Sequence, residues 1–440
     1  MIDEDFYEVR LTELLKFYTS HSINGLSRTR TPIVLSTLSA VRALFLQDYV
    51  LDTIRNSDYC KSYPLDLFLC KRALIIDNQD NRVVEHSNID IQALHQVLHS
   101  ASSARARRRF PFPFLSIGPI HLLRSATVSV PMETIGRNIL SKFSSKSSDK
   151  SISSLDARAS DVVLMSRFFS VKYVIDVMVE ENKRKYLLTV SSSEKSTQNF
   201  QLYSQFSILQ MPFPGVELFA NYSKLNYDLS ELTFGDALHP SQLEPKINHV
   251  LPQYSGLLIN FDRFDIITLT CRYFQVIIDL LAKSIVAAIL SNGQDISSLN
   301  VHCISGYDRT PTFAALLRVL LWADGFAHHS LSPSQVAFLI VSYDYFLFGH
   351  LLYERFIKKE EIMRFCFDIM VFLCNPTFRL SKRIKLLLKN KPIPETTNHG
   401  ANELKFLFNF SCDSVTDEDF GSKLFEVRKI FLRIYDSKPS

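Results

Sequence analysis

Apolar residues recur at three- and four-residue steps through Tyr7–Tyr18 and Leu38–Ile54, the spacing that loads one face of a helix. Residues 1–100 therefore read as a helical cap or interaction region, and they carry no chemical motif. The pattern shortens after Pro111 and Pro113. Ile120–Val130 reads as a strand-turn region, and Val171–Asp176 and Lys185–Val190 read as strands. A further strand, Phe206–Gln210, runs into Pro212 and Pro214, which end it. Asp265–Leu290 predicts one long, largely buried helix that stops at Ser291-Asn292-Gly293. Ser297–Cys303 predicts a short buried strand. Thr310 and Pro311 then supply a hydroxyl cap and a ring needing no N–H, opening a helix through Leu316, Leu317, Leu320 and Leu321 to Gly325. Two more helices are predicted at Pro333–Phe356 and Glu360–Phe372. Strands followed by a helical run predict an α/β fold, with a mixed central sheet flanked by helices and a helical N-terminal region.

The main domain spans 101–380 on this reading. The Ser- and Lys-rich stretch near 142–160 reads as a mobile insertion, and 381–440 as a basic tail with a possible docking helix. The chain has 440 residues, 46% of them apolar and 12% aromatic, enough to build a large core. Lys and Arg exceed Asp and Glu by 49 − 45 = 4, too small an excess for a general nucleic-acid binder. The 7 cysteines are odd in number and form no CxxC pair. Neither a disulfide framework nor a structural zinc is indicated, and a reducing cytosol fits. The acidic start, Met1 to Asp5, lacks the profile of a signal peptide. The most apolar stretch, Phe274–Leu290, carries Asp279 and Lys283, each costly in lipid. The run Ser102–Arg109 reads as a surface joint. Its arginines, and Lys382, Arg383, Lys385 and Lys389, read as solvated charge or as contacts for anionic headgroups. His328 and His329 are expected in a loop or on the surface, Trp322 in the core, and Arg318 in a surface or buried ion pair.

The chemistry concentrates in Cys303-Ile304-Ser305-Gly306-Tyr307-Asp308-Arg309-Thr310. A phosphate monoester dianion repels nucleophiles, so its catalyst must neutralise the oxygens and align the attack. Backbone amides from Ile304 to Arg309 can form an anion nest, and the following helix adds its positive end. Gly306 allows the turn where a Cβ would crowd the anion or the backbone. Arg309 offers a planar pair of donors. The same field favours a thiolate at Cys303, bringing a thiol pKa from about 8.5 toward roughly 4–7, and Thr310 can donate to the sulfur. Attack then gives a phosphocysteine that water hydrolyses. Asp308 is one candidate for the acid that protonates the leaving group. Asp262 and Asp265 are rivals on an upstream loop.

This loop resembles that of the myotubularin phosphoinositide phosphatases. The likeness continues through Pro311-Thr312-Phe313, Leu321-Trp322-Ala323-Asp324-Gly325 and Ser342 to His350. Upstream it includes Arg124 to Thr127, Val171-Lys172-Tyr173, Ser192 to Lys195 and Pro212 to Gly215. The resemblance implies a cysteine-phosphatase fold, with Cys303 as nucleophile, Arg309 as phosphate clamp and Asp308 as general acid. Ile304, Ser305, Gly306, Tyr307 and Thr310 would line the bound phosphate, with no metal or other cofactor. It implies removal of the 3-phosphate from phosphatidylinositol 3-phosphate and phosphatidylinositol 3,5-bisphosphate. The setting implied is a cytoplasmic enzyme meeting phosphoinositide headgroups at endosomal or autophagic membranes, with an adaptor protein as a further partner. Typical members have Trp at the place of Tyr307 and Asp at the place of Ser305. No counterpart of their amino-terminal lipid-binding module is apparent. A phosphotyrosine phosphatase and a weakly active lipid-binding scaffold are the competing readings.

Overall fold

A computed structural model describes residues 4–22, 31–56, 59–76, 81–85, 89–129, 153–179, 182–185, 188–192, 194, 200–232, 245–247, 249–254, 265–389 and 415–437. Its first segment is helical, with α1 at Glu4–Ser20 and α2 at Pro32–Asp48. An antiparallel sheet follows, made of β1 (Tyr49–Arg55), β2 (Asp66–Ile76) and β3 (Asn81–Glu85) in that order. The helix expected through Ile54 thus ends at Asp48, because Tyr49 to Arg55 pair with β2. The helical N-terminal region thus also carries a three-stranded antiparallel sheet. It closes with α3 (Ile91–Ala104), whose first amides are capped by Asp90.

The central sheet has the order β10-β7-β11-β5-β4. Its members are β4 (Phe112–Ile117), β5 (Ile120–Ala126), β7 (Val171–Asp176), β10 (Ser207–Gln210) and β11 (Ser298–Cys303). β4 and β5 form an antiparallel pair, and the remaining neighbours are parallel. The middle strand, β11, is buried at every residue, as a parallel strand covered on both faces must be. A small sheet of β6 (Val128–Ser129), β8 (Asn182–Lys185) and β9 (Leu188–Ser192) lies in the order β6-β9-β8. The strand expected at Lys185–Val190 is therefore divided between two antiparallel strands, β8 and β9. Of the expected insertion, residues 142–152 lie outside the described residues. The rest enters α4 (Ser154–Val163), capped by Ser153 and burying Arg158 and Asp161.

Helix α5 (Ile266–Leu290) begins at the Asp265 cap and ends before Gly293, whose φ is 81°. It is long and apolar enough to cross a membrane, but 72% of its most apolar window is buried inside the fold. Helix α6 (Arg309–Ala323) leaves the end of β11 and buries Trp322. The expected single helix Pro333–Phe356 is instead α7 (Pro333–Leu339), a π-helical continuation Ile340–Leu347, and α8 (Leu352–Lys358). The two parts meet at 94°. Gly349, with φ 90°, makes that corner. Beyond it, Ile362–Asp368, Leu380–Lys389 and Asp417–Asp436 complete the helical layer.

The N-terminal elements are fastened to the rest of the fold at several points. Tyr18 Oη donates to His350 O (2.6 Å) and Tyr63 Oη to Phe110 O (2.8 Å). Tyr49 Oη accepts from His328 N (2.9 Å), and Asp48 accepts from Ser330. His328 thus lies in a loop, as one of the two expectations had it, and is fully buried there. Its ring also meets Arg318, whose fork grips Asp344 at 2.7 and 2.9 Å in the core.

Candidate active site

Cys303 ends β11, and Arg309 opens α6, so the loop between them caps the carboxyl end of the central parallel strand. Gly306 has φ +70°. A Cβ there would lie 2.9 Å from both Arg109 Nε and Ser125 O. Those approaches, and not only the turn, require glycine. Gly306→Ala should cost about 1–3 kcal/mol from its conformation alone, with more from the backbone contact. Chemical denaturation should show a lower unfolding midpoint, together with slower Cys303 alkylation at neutral pH.

The sulfur of Cys303 accepts from Gly306 N and from Thr310 Oγ1, both at 3.2 Å, while Thr310 Oγ1 accepts from Cys303 N at 2.9 Å. Thr310 is therefore not the helix cap that its position suggests. Its hydroxyl is committed to the cysteine. Burial opposes ionisation of the Cys303 thiol, but the Arg309 guanidinium and the Thr310 hydrogen bond outweigh it and lower its pKa. The amides of Ile304, Ser305, Tyr307 and Asp308 donate to no acceptor among the described residues. They are available to an oxyanion.

Arg309 is buried and anchored through Nη1 to Val177 O (3.0 Å) and Phe213 O (2.9 Å). One nitrogen fixes the fork, and the other donors have no acceptor among the described residues. The carbonyls come from the segments that follow β7 and β10, so Pro212-Phe213-Pro214-Gly215 has a structural purpose at the site.

Asp308 faces a different set of groups. Its Oδ1 lies 3.0 Å from Arg355 Nε and 3.1 Å from His350 Nδ1, and Arg355 Nη2 donates to Oδ2 at 3.2 Å. Burial works to raise its pKa. His350, by hydrogen bond and charge, and then Arg355 overcome burial and lower it to about 2. The carboxyl is thus ionised before substrate arrives. Of its rivals, Asp262 lies outside the described residues. Asp265 caps α5, accepting from Thr268 N at 2.6 Å and Thr268 Oγ1 at 2.8 Å.

The arginine run 105–109, read from the sequence as a surface joint, is partly internal. Arg105 and Arg109 are buried, and Arg109 Nη2 donates to Gly306 O at 2.8 Å. Arg109 and Arg107 lie 4.4 and 4.8 Å from the Tyr307 ring centroid. Burial favours the neutral phenol of Tyr307, yet the Arg109 charge and a hydrogen bond to Ser62, with Arg107 behind them, lower its pKa. In the other cluster, Lys382 pairs with Asp417 and Arg383 with Asp279.

Behind the nucleophile, His302 lies between two carboxylates. Nε2 is 3.0 Å from Glu194 Oε2 and Nδ1 is 3.9 Å from Asp176 Oδ1. Glu194 Oε1 accepts from Arg105, which also grips Asp161. Asp176, Glu194 and His302 hold ligand-type atoms within 4.8 Å of one another, but the guanidinium of Arg105 already supplies a cation to Glu194.

Sequence reasoning missed Arg105, Arg109, Glu194, His350 and Arg355 as neighbours of the loop or its strand. A faint signal existed for two of them. Arg105 and Arg109 stand just before a strand in a run otherwise short of acidic partners. Arg355 offered no local signal, since it reaches Asp308 only through the corner at Gly349.

No family model matches the chain. Two relatives do. It is 33% identical over 364 residues to phosphatidylinositol-3,5-bisphosphate 3-phosphatase MTMR14 of Mus musculus, and 32% identical over 369 residues to the Homo sapiens protein of that name. Each alignment covers 77% of this chain and 53% of the relative, so the chain spans about half the length of the curated relatives it matches. Agreement across three quarters of the sequence takes in far more than one short loop, and on it this chain belongs to the myotubularin-related family.

Proposed function

We propose that the chain is a phosphoinositide 3-phosphatase acting on phosphatidylinositol 3-phosphate and phosphatidylinositol 3,5-bisphosphate through a phosphocysteine. The observation that carries this reading is the convergence on one loop of a Cys303 sulfur with two hydrogen-bond donors, four unengaged amides and an anchored Arg309. The relatives' names supply the lipid class and the position of attack.

Amides of the loop and the remaining Arg309 donors receive the three outer oxygens of the 3-phosphate. The Cys303 thiolate attacks phosphorus opposite the inositol oxygen, and the S–P bond forms as the P–O bond breaks. Asp308, on the loop beside Arg309, gives the leaving oxygen its proton. The incoming phosphate charge opposes the hold of His350 and Arg355 on Asp308 and raises its proton affinity, so Asp308 takes up a solvent proton as substrate binds and before it gives one to the leaving oxygen. Water then attacks phosphorus and gives a proton to Asp308, and the thiolate departs as the S–P bond breaks. None of these steps draws on a cofactor. The ionised state of Asp308 in the free site also favours the weakly active scaffold as a second reading. We place the enzyme in the cytoplasm, visiting endosomal or autophagic membranes, with an adaptor protein recruiting it there.

Phosphate release from a panel of mono- and bisphosphorylated inositol lipids tests the assignment. Selective loss of the 3-phosphate supports it. Folded, monodisperse protein that binds these lipids without turnover favours the scaffold, and one that prefers phosphotyrosine peptides favours a protein phosphatase.

A further inference from the structure

The phosphate loop is held by its carbonyls as well as by its ends. Thr127 N donates to Cys303 O at 3.0 Å and to Ile304 O at 3.4 Å. Arg109 Nη2 donates to Gly306 O at 2.8 Å, and His350 Nδ1 lies 2.9 Å from Tyr307 O. A carbonyl can only accept, and the other group beside that nitrogen is the Asp308 carboxylate at 3.1 Å. Nδ1 of His350 therefore carries the proton. In a planar trans peptide the C=O and the following N–H point in opposite directions. A donor that grips the Gly306 carbonyl from outside turns the Tyr307 amide inward, and one that grips the Tyr307 carbonyl does the same for Asp308. Neither amide has an acceptor among the described residues.

The charge of Arg109 points the same way. Its side chain is buried, with Ser62 Oγ at 2.8 Å, Gly306 O, and the rings of Tyr63 and Tyr307 at 4.8 and 4.4 Å as its surroundings. No carboxylate pairs with it among the described residues. Arg105 and Arg318, also buried, each hold a carboxylate. A buried cation without a counter-ion is costly. An oxyanion in the loop supplies that counter-ion, one peptide away. Both grips are themselves held by the N-terminal region. Ser62, between β1 and β2, accepts from Arg109. Tyr18, near the end of α1, donates to His350 O at 2.6 Å.

We propose that Arg109 and His350 are positioning residues for the bound phosphate. Each grips one loop carbonyl from outside so that the Tyr307 and Asp308 amides face the anion, and Ser62 and Tyr18 hold those grips in place. This rests on the reading of the loop as a phosphate site. Neither Arg109 nor His350 touches the phosphate, and each acts through a peptide group. The N-terminal elements thereby set the geometry of a loop that lies far along the chain, and donors fixed before the anion arrives need no reordering when it binds.

Tungstate, a tetrahedral dianion, is the probe. Its protection of Cys303 from iodoacetamide, read by mass spectrometry of the Cys303 peptide in the full chain, gives its affinity. Arg109→Met keeps much of the packing and removes the charge and the donors. The concentration giving half protection should rise about tenfold, the size expected of one hydrogen bond to a charged group. Arg109→Lys returns the charge and a donor without the fork, and should stay within about threefold of the unaltered protein. Ser62→Ala and Tyr18→Phe each remove one hydroxyl and should weaken tungstate about threefold. Unchanged affinity in both overturns the part given to the N-terminal region. Full affinity in folded Arg109→Met, even with a lower melting temperature, reduces Arg109 to a structural brace and overturns the proposal. Equal losses in the Met and Lys variants assign the effect to packing and overturn it as well. The unaltered protein gives a second reading. Its Tyr307 and Asp308 amide resonances should move as tungstate is added. If both stay fixed while Cys303 is protected, the proposal falls even where Arg109→Met does not fold. Tungstate that never protects the unaltered chain counts against the loop as a phosphate site, and the proposed function falls with this inference. Protection that the variants do not weaken counts against this inference alone.

Discussion

Serine at position 303 should lower turnover of phosphatidylinositol 3-phosphate by about 10⁴-fold or more while leaving lipid affinity within a few-fold. The donors available to phosphate are backbone amides and Arg309, and none depends on sulfur. What Cys303→Ser removes is a nucleophile whose ionisation the site favours. The Arg309 charge and the Thr310 hydrogen bond lower the thiol pKa, but an alcohol starts far too high for the same help to suffice. Losing the thiolate also removes its repulsion of the dianion, so binding should hold or tighten. Arg309→Met should behave differently. It removes the charge-bearing fork from ground state and transition state alike, so both affinity and turnover should fall. Lipid binding and single-turnover rates, measured side by side, separate the two patterns. Equal losses of affinity in both variants would contradict these roles.

Asp308→Asn should reduce hydrolysis of the inositol lipid by about 10²–10⁴-fold. An aryl phosphate with a good leaving group needs no proton, so its hydrolysis should change far less. The contrast matters because Asp308 is a carboxylate in the free site, held by His350 and Arg355 with a pKa of about 2. A group so acidic carries almost no proton at neutral pH. Its acid role therefore requires the substrate's charge to weaken that hold. Replacing Arg355 with Met removes a positive neighbour and should raise the Asp308 pKa. Sign and direction follow from the charge. The protonated fraction grows, and the alkaline limb of kcat/KM for the lipid moves to higher pH. The aryl phosphate profile should not follow it. If Asp308→Asn slowed both substrates equally, Asp308 would be a brace for the loop and the acid would lie elsewhere.

Much of this site could be read along the chain because its central parts are local. Cys303, Gly306, Asp308, Arg309 and Thr310 occupy eight consecutive positions, and the alternation from a buried strand to a helix placed the loop between β11 and α6. The central strands at Val171–Asp176 and Ser207–Gln210 were legible for the same reason, since each is a short β-rich run bounded by breakers. The partners were not. Arg105 precedes Glu194 by 89 residues, and Arg355 follows Asp308 by 47. A charge run with no visible partner reads as solvated, and only the folded chain shows Arg105 enclosed by Asp161 and Glu194. The helix expected through Phe356 failed at Gly349, where a left-handed residue turns the chain and delivers His350 and Arg355 to Asp308. Thr310 was assigned the correct neighbour but also a cap that its hydroxyl does not make.

The central claim is that Cys303 and Arg309 act on one phosphorus. It is tested most directly by mixing the enzyme with phosphatidylinositol 3-phosphate labelled in the 3-phosphate, stopping within the first turnover by rapid denaturation, and mapping the label. The account predicts a transient phosphoryl group on Cys303 that forms and decays fast enough to carry turnover, and that is lost in Cys303→Ser. Release of labelled phosphate at the full rate, with no label on Cys303 at any time, would contradict it.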